Sequence, residues 1–247
     1  MNIIINGANG KLGRSVADCA KEKYAVVAGA DISADNSQSF PVYDGLFKIK
    51  EKADVIIDCS FHGAIYDLLN YAKSVNLPVV IATTGHSEEE KAFITETARY
   101  LPVFMSANMS IGVNLLAELS NIAADFLGDS FDIEIIEAHH SKKIDAPSGT
   151  ALMLADAVKE HVPGAAFVYD RTVRRNARDK AEIGMHSVRG GSIVGDHEVL
   201  FAGPGEVIRL RHSALSRAVF AEGALTASRF MINKPAGLYD MKSMLRR

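Results

Sequence analysis

At 247 residues, with 48% hydrophobic and 23% charged composition, the chain can form one large domain or two modest ones, each with its own core. A net charge of -3 gives no broad electrostatic reason to expect nucleic acid as a partner, and two cysteines, Cys19 and Cys59, are too few for a disulfide framework, as in a reduced cytoplasmic protein. The apolar start Met1-Asn-Ile-Ile-Ile meets Asn6-Gly7 far short of the roughly 20 residues that cross a bilayer, so neither signal peptide nor membrane anchor is expected.

From the N-terminus, short β-branched runs alternate with stretches of helical periodicity. Ile3-Ile4-Ile5 reads as a strand leading into a helix to about Tyr24, and Ala25–Ala30 as the next strand. Asp54–Asp58 precedes a helix over Ala64–Ser74, Pro78–Ala82 precedes one over Ser87–Tyr100, and Pro102–Met105 ends the series. Runs of this kind are buried on both faces. The alternation predicts an α/β fold with a Rossmann-type parallel sheet, its functional edge at the carboxyl ends of the strands.

After Asn108 the pattern changes. A helix is predicted over Ile111–Phe126, and both Phe131–Ala138 and Glu206–His212 alternate charged with apolar residues, as half-solvated strands do. With strand-like pieces at Ser187–Val194 and Glu198–Phe201, this predicts a smaller α+β C-terminal domain whose sheet has one exposed face. Between these strands the basic run Arg171–Lys180 reads as a solvated loop, with anion binding or a subunit contact as alternatives. The last helical stretch, Ala214–Phe230, is apolar-periodic and can pack on either domain.

Gly7-Ala8-Asn9-Gly10-Lys11-Leu12-Gly13 follows the first strand and opens a helix, the setting in which a glycine fingerprint signals a dinucleotide. The spacing is G-x-x-G-x-x-G, a departure from G-x-G-x-x-G. Gly7 can make the tight turn, Gly10 admits a pyrophosphate to the backbone, and Gly13 lets helix and strand pack closely. Asp31 ends the second strand, where a carboxylate accepts from ribose hydroxyls. No arginine follows Asp31, which favours NADH over NADPH, although Lys11 and Arg14 in the same loop compensate in part. Ala82-Thr83-Thr84-Gly85 and Ser106-Ala107-Asn108-Met109-Ser110 fall at further strand ends, where they line the crevice near the nicotinamide or serve simply as turns.

Glu137-Ala-His139-His140-Ser-Lys-Lys143-Ile-Asp145-Ala-Pro-Ser148-Gly149-Thr150-Ala151 is a polar loop between a strand and a helix resuming at about Thr150. A metal site is poorly supported, because neighbouring residues of an extended segment point in opposite directions. A solvated loop with Ser148 as helix cap stays open. The chemical alternative is acid–base work on an anion, with imidazole and ammonium as proton donors and the Ser-Gly-Thr amides holding a carboxylate.

That run resembles the signature of the 4-hydroxy-tetrahydrodipicolinate reductase (dihydrodipicolinate reductase) family of lysine and diaminopimelate biosynthesis. The glycine loop, Thr83-Thr84-Gly85, Ser110-x-Gly-Val-Asn114 and Gly191-Ser-Ile-Val-Gly-Asp-His197 are similar too, so the resemblance covers most of the chain. It implies that His139 is the catalytic acid/base and Lys143 a second proton donor, while His140, Ser148, Gly149 and Thr150 bind the carboxylates of a cyclic dicarboxylate. It also implies NADH or NADPH held by Gly7, Ala8, Asn9, Gly10, Lys11, Leu12, Asp31, Ala82, Thr83, Thr84, Ser106, Ala107, Asn108 and Met109, with no metal. The expected organisation is a dinucleotide-binding domain over 1–109, a substrate-binding and oligomerisation domain over 110–212 that builds a homotetramer and closes over the first, and a segment 213–247 returning to the first. Departures from the family pattern are Ala82 and Met109, in place of a glycine and a phenylalanine, and the missing basic residue at Ile32. Two rivals remain: a related NAD(P)-dependent dehydrogenase of another amino or sugar acid, and a non-catalytic dinucleotide sensor.

Overall fold

The computed structural model describes residues 1–21, 23–35 and 37–246. In chain order the elements are β1 (Asn2–Asn6), α1 (Lys11–Ala20), β2 (Ala25–Ala30), β3 (Val42–Tyr43), β4 (Val55–Asp58), α2 (Ile65–Val75), β5 (Val79–Ile81), α3 (Glu88–Thr97), β6 (Pro102–Met105) and α4 (Ile111–Leu127). They continue with β7 (Asp132–His139), α5 (Gly149–Lys159), β8 (Ala166–Val168), β9 (Glu182–Arg189), β10 (Gly195–Gly203), β11 (Glu206–Ala214), α6 (Ala218–Met231), β12 (Gly237–Tyr239) and α7 (Met241–Leu245). Packing divides them into two compact units: Met1–Ile111 together with the segment from Ala218 onward, and Gly112–Arg217. Among the described residues no helix is long and apolar enough to cross a membrane.

The first unit is a Rossmann-type parallel sheet in the order β12-β6-β5-β4-β1-β2-β3. Alternation along β1 shows why its sequence has no polar gaps. Ile3 and Ile5 face one side, in a cluster with Val16 and Ala20 of α1 and Ala224 and Leu225 of α6. Ile4 faces the other, with Ile56, Leu68, Leu69 and Ile94. All three isoleucines are fully buried, each contributing about 1.5–3 kcal/mol of transfer free energy. Because β1 has β2 on one side and β4 on the other, the crossovers leave in opposite directions and open a crevice at Asn6 and Asp58.

The second unit is a mixed sheet, β11-β10-β7-β9-β8, with β7, β8 and β9 parallel and β10 and β11 antiparallel. Ile133, Ile135, Ile183, Val199 and Phe201 form its inner core with Leu116 of α4 and Leu154 and Val158 of α5. The opposite face carries ion pairs such as Arg211 to Asp196 at 3.0 Å and Arg209 to Glu198.

Two expectations need correction here. The strand predicted at Ser187–Val194 is β9, which runs earlier and stops at Arg189, where Gly190 and Gly191 turn the chain, Gly191 at φ 51°. Its early part was masked by Gly184, whose missing side chain admits the Glu134 carboxylate: a Cβ there would lie 1.6 Å from Oε2. The helix expected from Ala214 begins at Ala218, because Ala214 still belongs to β11. The basic run 171–180 is a largely exposed loop, as expected, and ion pairs anchor it. Arg171 and Arg174 converge on Glu182, which is 4% exposed; Arg178 reaches Glu134 at 3.0 Å and Asp132 at 3.2 Å, and Lys180 reaches Asp132 at 3.1 Å.

Candidate active site

At the carboxyl edge of the first sheet, a cleft of about 470 Å³ is lined by Gly7, Gly10, Asp31, Ile32, Gly45, Ser60 and neighbouring residues. An adjoining cleft is lined by Leu12, Phe61, His62, Ala82, Thr83 and Thr84. Two glycines of the loop after β1, Gly7 and Gly13, are sterically obligatory. Gly7 sits at φ 77°, and a Cβ there would lie 2.6 Å from the Cys59 carbonyl oxygen; a Cβ at Gly13 would lie 2.2 Å from the Gly7 oxygen. Gly10 is the N-cap of α1 and offers no side-chain cap, so the amides of the first helical turn, Lys11 to Gly13, are left for an anion. These features fit a dinucleotide's pyrophosphate.

Asp31 accepts hydrogen bonds from the Asn9 and Ser33 amides at 2.9 and 3.0 Å, which fixes its carboxylate at the cleft. Asn9 clasps the same loop by donating to the Ser33 carbonyl at 2.6 Å. Ile32 is fully exposed beside it. Ala8 and Met109 turn their side chains into the core, leaving only backbone groups for a ligand. Ser106 and Asn108 close a tight turn, the Ser106 hydroxyl donating to the Asn108 carbonyl at 2.8 Å, while Ala107 is exposed.

A buried carboxylate beneath this edge went unnoticed in the sequence. Asp58, 1% exposed, accepts from Asn6 Nδ2 at 2.8 Å, Ser60 Oγ at 2.5 Å and Thr83 Oγ1 at 2.6 Å, tying the ends of β1, β4 and β5 together. Burial raises its pKa, against the lowering effect of those donors. His62, at the rim of the second cleft, is paired with Glu90 at 2.9 Å.

In the second unit, Glu137, His139 and Ser148 come together with two residues that their local sequence does not signal, Arg189 and His197. Glu137 is 1% exposed. Its Oε2 lies 2.6 Å from His139 Nδ1 and 2.8 Å from one Arg189 nitrogen; its Oε1 accepts from the other Arg189 nitrogen at 2.7 Å and from the Ser148 amide at 3.1 Å. Burial alone would raise the Glu137 pKa, but the hydrogen bonds from Arg189 and His139 overcome it and bring it down to about 2. With both oxygens so engaged, Glu137 is not available as a metal ligand.

Ser148 caps α5, its Oγ accepting from the Ala151 amide at 3.1 Å and lying 3.0 Å from His197 Nε2. Burial and the neighbouring His139 lower the His197 pKa to about 4, so this imidazole is neutral near pH 7. Gly149 has open space before it: an added Cβ would meet nothing within 4 Å. The α5 start therefore presents amides to an anion from a half-open position.

Lys143 is half-buried and pairs with Asp145 at 2.8 Å. His140 lies 3.4 Å from an Arg217 nitrogen, away from the Glu137 cluster's hydrogen bonds. Lys142 is exposed. His197 ends the stretch Gly191–His197, whose resemblance to the family implies no role for it. Arg189 lies 52 residues from Glu137 and had no local signal beyond strand alternation.

A parallel sheet with a glycine loop at its reversal point, in a chain that also carries an imidazole and a capped helix start on one buried carboxylate, fits one class: an NAD(P)H-dependent oxidoreductase. Residues 1–109 match the family described as dihydrodipicolinate reductase, N-terminus, and residues 112–245 match dihydrodipicolinate reductase, C-terminus. The 4-hydroxy-tetrahydrodipicolinate reductase of Caldanaerobacter subterraneus subsp. tengcongensis is 50% identical over 250 residues, covering 100% of this chain and 99% of that one. The reductase of the same name from Clostridium tetani is 46% identical, with 99% and 97% covered. A dipicolinate-bound dihydrodipicolinate reductase from Paenisporosarcina sp. TG-14 superimposes with a TM-score of 0.82 at 27% identity, covering 97% of each chain. The chain belongs to the dihydrodipicolinate reductase family.

Proposed function

We propose that the chain reduces 4-hydroxy-tetrahydrodipicolinate to tetrahydrodipicolinate, consuming one NAD(P)H and one proton and releasing NAD(P)+ and water. The observation that carries this reading is the convergence of His139 and Ser148 on the single buried carboxylate of Glu137, which puts a proton donor and an anion-binding helix start in one rigid frame. The clefts of the first unit would hold the nicotinamide cofactor, which when bound would supply the hydride for C4 of the ring. Gly7 to Leu12 and Asp31 would hold the pyrophosphate and ribose, and Ala82 to Thr84 with Ser106 to Met109 would border the nicotinamide.

His139 delivers a proton from Nε2, and Lys143 is the second donor. Ser148, Gly149 and Thr150 hold one carboxylate by amides and hydroxyls, and His140 assists with the charge of the second. Dipicolinate, the ligand of the Paenisporosarcina relative, is a planar ring dicarboxylate of the kind this arrangement would accept. The carboxylate at Asp31, followed by the exposed Ile32 and not by a basic residue, favours NADH, while the nearby Arg14 guanidinium is engaged by the Asn9 carbonyl at 2.9 Å and Ser37 at 3.0 Å. The proposed assembly is a homotetramer built through the second unit, whose sheet exposes Val188 and Val207.

The test is loss of reduced-nicotinamide absorbance when enzymatically generated 4-hydroxy-tetrahydrodipicolinate is added, with NADH and NADPH in parallel. Oxidation of neither cofactor overturns the reading.

A further inference from the structure

Glu137 and Arg189 are given no direct part in binding or proton transfer above, yet they form a two-pronged ion pair in the second unit. Arg189 grips Glu137 with both terminal nitrogens, at 2.7 and 2.8 Å, and the same guanidinium donates to the Asp145 carbonyl at 2.7 Å. It therefore clamps the end of the loop that carries Lys143. Glu137 in turn receives His139 Nδ1 at 2.6 Å and the Ser148 amide at 3.1 Å.

An ionised carboxylate is an acceptor only, so each of those contacts requires a proton on the partner's side. The His139 contact therefore specifies Nδ1–H. We infer that Glu137, clamped by Arg189, is a positioning residue: it holds the neutral His139 ring as the Nδ1–H tautomer with Nε2 as the proton-transfer nitrogen, and locks that ring to the carboxylate-binding start of α5. The inference rests on the proposed reaction. In the step concerned, the Nε2–H bond of the imidazolium breaks, the proton passes to the substrate, and the electron pair stays on Nε2. The ring is left as the tautomer that Glu137 accepts from, so no rotation or proton exchange is needed within the turnover.

The preference is worth more in a buried site than on a surface. Glu137 is 1% exposed and the His139 side chain 12% exposed, so water does not compete effectively for either partner. A misdirected tautomer would place the Nε2–H proton of the neutral ring where the lone pair belongs after transfer, and would leave Glu137 with one donor fewer.

The experiment uses the full chain. Nitrogen-15 NMR of the imidazole rings, with His139→Gln to assign the signal, should show neutral His139 protonated on Nδ1; a neutral ring protonated on Nε2 overturns the inference without needing any variant of Glu137. Glu137→Gln should lower kcat on the order of 10²-fold. It should also move the basic limb of the kcat/KM profile toward lower pH and leave NADH binding, measured by fluorescence titration, within about two-fold, since that site lies in the other unit. Arg189→Lys, which keeps the charge but loses the two-pronged grip, should give a smaller loss, about 10-fold. A Glu137→Gln enzyme with wild-type kcat and an unchanged pH profile also overturns it. Wild-type protein that oxidises neither cofactor with the dicarboxylate defeats the proposed reaction instead; the NMR result still decides the tautomer.

Discussion

The hydroxyl of Ser148 lies 3.0 Å from Nε2 of His197, although the two residues are 49 positions apart, and both are at most 3% exposed. A helix cap is thus buttressed by an imidazole that burial keeps neutral, its pKa lowered from 6.5 to about 4. For a base with a depressed pKa, the unfolded chain takes up the proton first. The stability that neutral His197 contributes is complete above about pH 6.5 and is lost progressively as pH falls to about 4. His197→Gln, which can still reach Ser148 but does not titrate, should flatten the decline of melting temperature over that window. An unchanged decline would show that another group sets it.

Replacement of His139 or Lys143 by alanine should lower kcat on the order of 10²-fold or more with circular dichroism and NADH affinity intact. Near-normal turnover in both variants would remove these residues from the chemistry.

Two glycines should respond in opposite ways to the same methyl group. Gly13→Ala must push against the Gly7 carbonyl, 2.2 Å from the new Cβ, and should cost about 1–3 kcal/mol of stability together with most dinucleotide affinity. Gly149→Ala meets nothing within 4 Å and, lying in the first turn of a helix, should leave stability unchanged or up to about 1 kcal/mol higher. Its methyl nonetheless stands in the space before the α5 start, so KM for the dicarboxylate should rise at least several-fold. Denaturant titrations and steady-state kinetics on the pair decide this; an unaffected KM in Gly149→Ala would place the carboxylate elsewhere.

Ile32 projects fully into solvent beside the Asp31 carboxylate, so a guanidinium can be introduced there without repacking. Ile32→Arg should raise kcat/KM for NADPH by about 10-fold while changing that for NADH by less than about three-fold. The wild-type enzyme should favour NADH, and the ratio of the two constants, measured side by side, tests both statements.

Much of the molecule was legible in one dimension because its signals are local. Unbroken β-branched runs mark strands covered on both faces, and Ile3, Ile4 and Ile5 are buried for that reason, two against one helix layer and one against the other. The glycine loop was legible because steric demand attaches to single positions: Gly7 and Gly13 have no room for a Cβ. The Ser148 cap followed from a small polar residue before an apolar-periodic run, and its bond to Ala151 is local. By contrast, β8, β12 and the early half of β9 were missed, being three residues long or interrupted by a glycine that makes room for Glu134.

The sequence by itself determined the parallel sheet and the glycine loop, since periodicity and backbone sterics act over a few neighbouring residues, and its resemblance to the family singled out His139 and Lys143 as the proposed proton donors. Only the tertiary structure decided what holds those donors in place. Arg189 on Glu137, His197 on Ser148 and Asp58 across three strand ends are contacts between residues 25 to 52 positions apart. Nothing in their local pattern announces them. They exist because strand pairing brings distant side chains onto one buried face, where each charge must find a partner.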